Sequence, residues 1–428
     1  MAGPGIRYHY MAQALSSSFD VTVGFFDPSY LPDDKLERHY SIVSIDSNNF
    51  EKDFNYQEVI IALWLNESMI KYCNENNIFL VFDIYAPVPV ENLASHIFSQ
   101  KKIKASTNFE FLRSISMYRL FFENGDLFLF SNRRQKDFWL GFIFGSGQIK
   151  PSEYMSRPVY DRFIYSPMGI DTGIKQTVGN PVIKGCISGI GKSDKVLLWT
   201  GGIWEHFDGL SLIKAMANLS ANRPDIKLLF LGTNHPNSSI PKMLEATKTK
   251  RMAKDNGLLN KTVFFNEGWV KYNDRLDYLL EADAAISIHK DSMETEVSHR
   301  TRILDHILVG LPTISTAGDY FSDEVIKPNN LGIVVPPGDV ASIEQAILDI
   351  LNPGVNNKLR KNIIAIRPEF DWNVTLKPLH DYLIKDLNRL NRKPASVPTN
   401  RNLLLSGAKR IMPKYVKRII IKALNLSN

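Results

Sequence analysis

The residues best suited to chemistry lie in one stretch, Ile286 to Thr316, which reads ISIHKDSMETEVSHRTRILDHILVGLPTIST. A polar loop supplies His289, Lys290, Asp291, Glu294, Thr295 and Glu296, and Arg300, Arg302 and Asp305 follow closely. Guanidinium groups grip phosphate oxygens in a bidentate manner, so two arginines this close together point to a phosphorylated ligand. The plainer reading of the same pattern is a surface loop followed by an ordinary charged helix face.

The elements that must position these residues can be read on either side of them. Ala284, Ala285, Ile286 and Ile288 form a short apolar run, as in a strand buried in a parallel sheet. Ile303, Ile307 and Leu308 recur at helical spacing, with Arg300, Arg302 and Asp305 near the helix start. Gly310 closes that helix, Pro312 prevents its continuation, and Thr313 to Thr316 begins another strand. Open α/β sheets present ligands at the carboxyl ends of their strands, where a helix N-terminus offers free N–H groups to a phosphate.

These residues carry a resemblance. The stretch is similar to the donor-sugar motif of retaining glycosyltransferases of family 4, roughly E-x7-E-A-x-x-x-G-x-P-V. Gly310 and Pro312 fit it, and Asp305 stands where that family has its second glutamate. Val297 occupies the place of the first. The run ETEVSHRTRILDHILVGLP resembles a bacterial surface-polysaccharide branch, E-T-x-x-x-x-R-T-R-x-L-D-x-x-x-x-G-L-P, in which Glu294 takes over from a longer loop. The resemblance implies an α/β chain of two Rossmann-like domains facing across a cleft, the GT-B fold. It implies sugar transfer, with retention, from a nucleotide diphosphate sugar to a hydroxyl of a glycan or lipid-linked glycan, in surface polysaccharide or lipopolysaccharide biosynthesis. Glu294 would hold the donor sugar and Asp305 the ribose, with no side-chain nucleophile, cofactor or metal. A nucleotide-sugar epimerase of the same fold and a catalytically idle nucleotide-sugar-binding protein are the alternatives.

Composition agrees with two domains: the chain has 428 residues, 44% of them hydrophobic. The expected division is 1–171 for an acceptor-side domain, 172–195 for a linker, 196–390 for a nucleotide-sugar domain and 391–428 for a basic tail. Cys73 and Cys186, far apart, indicate neither a disulfide framework nor a zinc site, which fits a reducing cytosol. Neither a secretory leader at MAGPGIRYHYM nor a membrane-spanning apolar run is recognised, so a cytoplasmic location is expected.

In the first domain Gly3-Pro4-Gly5 reads as a tight loop, Ile6 to Leu15 as a helix and Phe19 to Phe26 as a strand. Relatives place a strand before such a loop, so the expectation is a domain lacking its first, central strand, with a natural start upstream of Met1. Gly3, Gly5 and Arg7 would approach the diphosphate across the cleft, although G-P-G alone is more often a turn. Further strands are expected at His39 to Ile45, Val59 to Leu63, Ile78 to Ile84, Leu127 to Phe130 and Tyr165 to Ile170. Asp83 and Tyr85, emerging at a strand's carboxyl end, are candidates for acceptor binding; a prolyl turn with a capping Asp is the alternative. Ser131 is a candidate helix cap, and Phe138 and Trp139 are expected in the core.

The second domain opens with a strand at Val196 to Trp199, the loop Thr200-Gly201-Gly202 and a helix at Leu210 to Leu219. Gly201 and Gly202 let backbone approach a phosphate. The resembled family has Arg and Lys just beyond; here Ile203 and Asp208 stand there, so Arg300 and Arg302 are expected to supply the charge. Trp269 is a candidate wall for the nucleobase, with a core tryptophan as the alternative. Lys393, Arg401, Lys409, Arg410, Lys414, Lys417, Arg418 and Lys422 occur without any Asp or Glu, interleaved with Leu403–Leu405 and Ile419–Ile421. That pattern suits an anionic bilayer surface, to which the chain would attach peripherally; no nucleic-acid partner is expected.

Overall fold

The computed structural model describes residues 3–26, 38–99, 103–156, 158–174, 176, 179, 181–233, 243–268, 270–272 and 274–390. Trp269 and the basic tail lie outside them. The chain divides into two units, Met1–Lys385 and Asp386–Asn428, and every strand among the described residues belongs to the first.

The second sheet has six parallel strands: β7 (Lys195–Trp199), β8 (Ile226–Phe230), β9 (Val263–Phe265), β10 (Ala284–Ser287), β11 (Thr313–Thr316) and β12 (Gly332–Val335). Their order is β12-β11-β10-β7-β8-β9, a doubly wound sheet whose direction of winding reverses between β7 and β10. The apolar runs of β7 and β10 are buried on both faces, as central parallel strands require. Gly310 closes the Arg302–Val309 helix in the left-handed conformation, φ 70° and ψ 31°, which glycine adopts without Cβ strain. Helix and strand therefore hand over where the Gly-Leu-Pro pattern places the boundary.

The first domain contains β1 (Thr22–Phe25), β2 (Ser41–Ser44), β3 (Val59–Ala62), β4 (Phe79–Asp83), β5 (Leu127–Phe130) and β6 (Phe163–Tyr165). These strands form two parallel sheets, β1-β2 and β3-β4-β5-β6, and β1 does not pair with β3 among the described residues. β4 and β5 are wholly buried, whereas every residue of β3 is only partly covered. The covered residues of this domain form an aromatic core in which Trp139 stacks on Tyr118 at 4.7 Å.

Three local expectations need correction. Gly3-Pro4-Gly5 is not a separate loop: it is the first turn of the helix Gly3–Leu15, where proline's missing N–H has no intrahelical acceptor to lose. The last strand of the first sheet is Phe163–Tyr165, and Ser166 to Ile170 leads out of it. Asn132, not Ser131, caps the Arg133–Gly145 helix by accepting from the Gln135 N–H.

Ile170 forms a parallel bridge with Asp371, so the chain leaves the first domain and returns to it at neighbouring points. The buried Trp372 ring stacks on Tyr10 at 5.2 Å, and His380 bonds Ser18 at 2.9 Å, fastening the return to the opening helix. Trp372→Ala removes this aromatic floor and is expected to lower stability by ~3–5 kcal/mol, measured by chemical denaturation. A loss below ~1 kcal/mol would show that the return segment carries little of the fold's stability.

Candidate active site

At the carboxyl end of β7 the chain turns through Thr200, Gly201 and Gly202, with Gly201 at φ +73°. The Arg302–Val309 helix starts beside this turn, and Arg302 Nη2 donates to the Gly202 carbonyl at 3.0 Å. The guanidinium lies 3.9 Å from the Phe207 ring centre and 5.5 Å from that of Trp199. Its Nη1 is buried without a hydrogen-bond partner, and among the described residues no carboxylate pairs with it. Burial, and after it the neighbouring Arg300, push Arg302 below its ordinary value, to about 9. It remains a cation at neutral pH, in want of a counter-charge.

His306 braces the same turn. Its Nε2 bonds the Thr200 hydroxyl at 2.8 Å and its Nδ1 the Thr313 hydroxyl at 3.0 Å, joining β7 to β11. Burial pushes this ring down to about 3, so it stays neutral. The signal was available in sequence: His306 is four residues beyond Arg302, hence on the same helix face.

Glu294 sits on a short helix, Met293–Val297, inside the segment read as a loop. Arg300 Nη1 and Nη2 donate to its two oxygens at 2.8 Å each, and both residues are buried. This corrects the reading of Arg300 as a free diphosphate clamp, because its fork is already spent on Glu294. Burial works to raise the Glu294 carboxyl, but the Arg300 guanidinium outweighs it and holds the group below its ordinary value. His206 Nε2 lies 3.8 Å from Glu294; burial keeps that ring neutral, at about 3. Opposite, the Val88–Ser99 helix of the first domain packs against Met293–Val297 and carries Glu91. Burial, then repulsion from Glu294, raises the Glu91 carboxyl to about 7. Sequence reading passed over Glu91, although it is the next ionisable residue after Tyr85.

Asp305 is engaged by Arg275, whose Nε lies 3.1 Å and Nη2 3.0 Å from Oδ1. Burial raises the Asp305 carboxyl and Arg275 opposes the rise. Arg275 itself lies 3.5 Å from the Tyr272 ring centre. A sugar hydroxyl at Asp305 would share the carboxylate with this clamp.

On the first-domain wall, Arg7 Nε and Nη2 donate to the two oxygens of Asp83 at 2.6 and 2.8 Å, and Nη2 also to the Ser166 carbonyl at 2.8 Å. Both side chains are fully buried. Asp83 is therefore a structural anchor, not an open acceptor ligand, and Arg7 is not aimed at a diphosphate. Gly3 and Gly5 lie within the helix that carries Arg7 and form no phosphate loop. Tyr85 is buried beneath the Arg7 guanidinium at 4.8 Å, its carbonyl held by Gln135 Nε2 at 2.8 Å, and so is likewise not an open acceptor contact.

The two walls meet through polar contacts. Asn132 Nδ2 donates to the Ser298 carbonyl at 3.2 Å, and Arg134 reaches the Gly318 carbonyl, Asp323 and Glu324 at 2.5, 2.9 and 2.9 Å. His289 Nε2 and Asp319 Oδ2 lie 2.7 Å apart, fully buried, and Ser322 donates to the same carboxylate. Among the described residues no group of three His, Cys, Asp or Glu side chains is placed to hold a metal ion.

Residues 188–367, which span the second sheet, match the family described as Glycosyl transferases group 1. No curated protein matches the chain in sequence. Among solved structures, WaaG, a glycosyltransferase involved in lipopolysaccharide biosynthesis, is similar at 15% identity, over 89% of this chain and 96% of that one, with a TM-score of 0.59. Alr3699/HepE of Anabaena, solved with UDP-glucose, is similar at 15% identity over 90% and 97%, with a TM-score of 0.62. Sucrose-phosphate synthase of Thermosynechococcus elongatus is similar at 15% identity over 91% and 94%, with a TM-score of 0.60. The fold is thus that of two Rossmann-like domains, shared with GT-B glycosyltransferases.

The buried charges give two expected outcomes. Asp83→Asn leaves Arg7 buried without a counter-charge and is expected to cost ~3–5 kcal/mol of stability in urea denaturation. Glu91 binds its proton more tightly folded than unfolded, so its contribution is lost as pH rises towards its folded value near 7. Glu91→Gln should therefore stabilise the chain at pH 8, by ~1–3 kcal/mol, and leave it nearly unchanged at pH 4.5. Equal stability differences at the two pH values would contradict this assignment.

Proposed function

We propose that the chain is a glycosyltransferase that moves a sugar, with retention, from a nucleoside diphosphate sugar to a hydroxyl of a glycan or lipid-linked glycan during surface-polysaccharide assembly. The observation that carries this reading is Arg302: a cation with an unpartnered Nη1, beside a glycine turn and a helix start at the carboxyl end of the central strand. Backbone N–H groups, helix dipole and guanidinium there suit a diphosphate. Asp305, beside Arg275, would receive the ribose, and the Glu294–Arg300 pair the transferred sugar. The group 1 match over this domain supports the assignment.

In this reaction the anomeric C–O bond to the diphosphate breaks and its electron pair stays on the phosphate oxygen. The acceptor oxygen bonds to the same face of the anomeric carbon, and its proton passes to the departing diphosphate. No side chain needs to act as nucleophile, so the protein's work is to position both partners and stabilise the leaving charge. Because HepE was solved with UDP-glucose, UDP-sugars head the list of donors to try. The basic tail would hold the enzyme peripherally at the inner face of the cell membrane, where a lipid-linked acceptor is presented.

The test is nucleotide release from a panel of nucleoside diphosphate sugars, with and without acceptor, beside titration of donor binding. Arg302→Ala is expected to weaken donor binding by ~1.5–3 kcal/mol with little change in melting temperature. Arg300→Ala should instead destabilise the fold by ~3–5 kcal/mol, since it strands Glu294 as a buried charge. Unchanged donor affinity in Arg302→Ala would refute the proposed clamp. Conversion of the free nucleotide sugar without acceptor would identify an epimerase instead.

A further inference from the structure

Just beyond β10, His289 pairs its backbone with Phe207 in an antiparallel bridge, against the residue whose ring lies beneath both Arg300 and Arg302. Its side chain is fully buried and faces Asp319, which follows β11 through the turn at Gly318, φ +109°. Asp319 is fully engaged: Oδ1 accepts from the Ser322 N–H at 3.1 Å, and Oδ2 from the Ser322 hydroxyl and from His289 Nε2, each at 2.7 Å. The residues after it form a π-helix, Phe321–Ile326, a rare geometry that recurs at functional sites. Burial works to raise the Asp319 carboxyl, but the hydrogen bond to His289 and the neighbouring charges hold it below its ordinary value, ionised and able only to accept. The proton in that bond therefore sits on Nε2. Burial, and after it the Arg300 guanidinium, hold the imidazole below its ordinary value, so the ring carries no second proton. Nδ1 is left with a bare lone pair, buried and without a partner among the described residues.

The partner of this nitrogen must be a donor, which narrows the chemistry. In a nucleoside diphosphate sugar at neutral pH the diphosphate has no proton to give, whereas a hydroxyl does. Position separates the transferred sugar from the nucleoside. His289 lies within electrostatic reach of both Glu294 and Arg300, and His206, next to its bridge partner, stands 3.8 Å from Glu294. The ribose position proposed at Asp305 belongs to a different helix, clamped by Arg275. Arg300 Nε, left over when both terminal nitrogens bond Glu294, is also buried without a partner. A hydroxyl answers both demands, since its oxygen accepts from an N–H and its proton is donated to a ring nitrogen. We infer that His289 Nδ1 accepts a hydrogen bond from a hydroxyl of the transferred sugar, and so selects donors that bear a hydroxyl at that place. This deepens the reading of a sugar held at Glu294–Arg300 and rests on it.

A merely structural His289 would only tie the turns after β10 and β11 together through Asp319, and two variants separate the roles. His289→Gln keeps an amide N–H for Asp319 and removes the bare nitrogen. His289→Asn keeps an acceptor oxygen near Nδ1 and gives up the Asp319 bond. UDP-glucose and UDP, then other nucleoside diphosphate hexoses and their nucleotides, are titrated into the full chain. His289→Gln should melt with the unsubstituted chain, bind the sugar nucleotide about tenfold more weakly and bind its nucleotide equally well. His289→Asn should melt lower yet keep most of the affinity for the sugar nucleotide. In the unsubstituted chain, imidazole nitrogen NMR shifts should show Nε2 protonated and Nδ1 bare, with Nδ1 responding to the sugar nucleotide and not to its nucleotide. Unchanged sugar-nucleotide affinity in His289→Gln, an equal loss for the nucleotide, or a proton on Nδ1 overturns the inference. If no sugar nucleotide binds the unsubstituted chain, the glycosyltransferase reading fails and this contact falls with it. If one binds and His289→Gln is silent, the contact alone falls.

Discussion

The buried ion pair between Glu294 and Arg300 sets the electrostatics of the cleft. Two charges withdrawn from water persist only when each answers the other with good geometry, and here both carboxylate oxygens meet both terminal nitrogens at 2.8 Å. The pair consumes one arginine of the Arg-Thr-Arg run and leaves Arg302 as the surplus cation. Its negative end also reaches across to Glu91 on the opposite wall, where burial and like charge together keep a carboxyl protonated towards neutrality. Burial and the neighbouring arginines keep two rings neutral, His206 beside this pair and His306 beside the glycine turn.

The first domain is built on a matching constraint. Arg7 ties the opening helix to the end of β4 and, through the Ser166 carbonyl, to the exit from β6. Its charge is felt across the cleft: His299 is pushed down to about 3, first by burial and then by Arg7. Each wall thus carries its own closed ion pair, and the contacts between the walls are made by other groups, chiefly Arg134, Asn132 and the Tyr165–Tyr320 hydroxyls at 3.3 Å. Asn132 and Ser298 are buried, but the Arg134 and tyrosine contacts are partly exposed and exchange with water at small net free energy, and polar interfaces between domains permit relative motion. A cleft that opened to a ligand would be served by stiff walls joined by such replaceable contacts.

Much of the second domain was legible in sequence because its signals are local. The strands Lys195–Trp199 and Thr313–Thr316 fall within one residue of their expected bounds, and Gly310 occupies the left-handed position its Gly-Leu-Pro context implied. The errors came from partners distant in sequence. Nothing near Asp83 announces that Arg7, 76 positions earlier, takes both of its oxygens, and nothing near Arg300 separates a phosphate ligand from a partner of Glu294. Residue type showed that charge was present; only the tertiary arrangement shows which charges are already neutralised. Glu91 was missed for the complementary reason, since its carboxyl becomes unusual only through a wall supplied by the other domain.

The same distinction explains how the chain dispenses with basic residues after its glycine turn. Ile203 is buried, and Asp208 is committed to capping the Gly209–Ser220 helix by accepting from the Ser211 N–H at 3.0 Å, so neither can meet a phosphate. β10 lies directly beside β7 in the sheet, and the turns after two adjacent parallel strands open at the same end. A cation placed on the helix that follows β10 can therefore reach the space served by the turn after β7. Arg302 does reach it, with Nη2 on the Gly202 carbonyl and the ring of Phe207 beneath the guanidinium. The positive charge beside the proposed phosphate position thus comes from the element after the neighbouring strand. This is possible because the sheet order, rather than the sequence neighbourhood of the glycines, decides which side chains face that space.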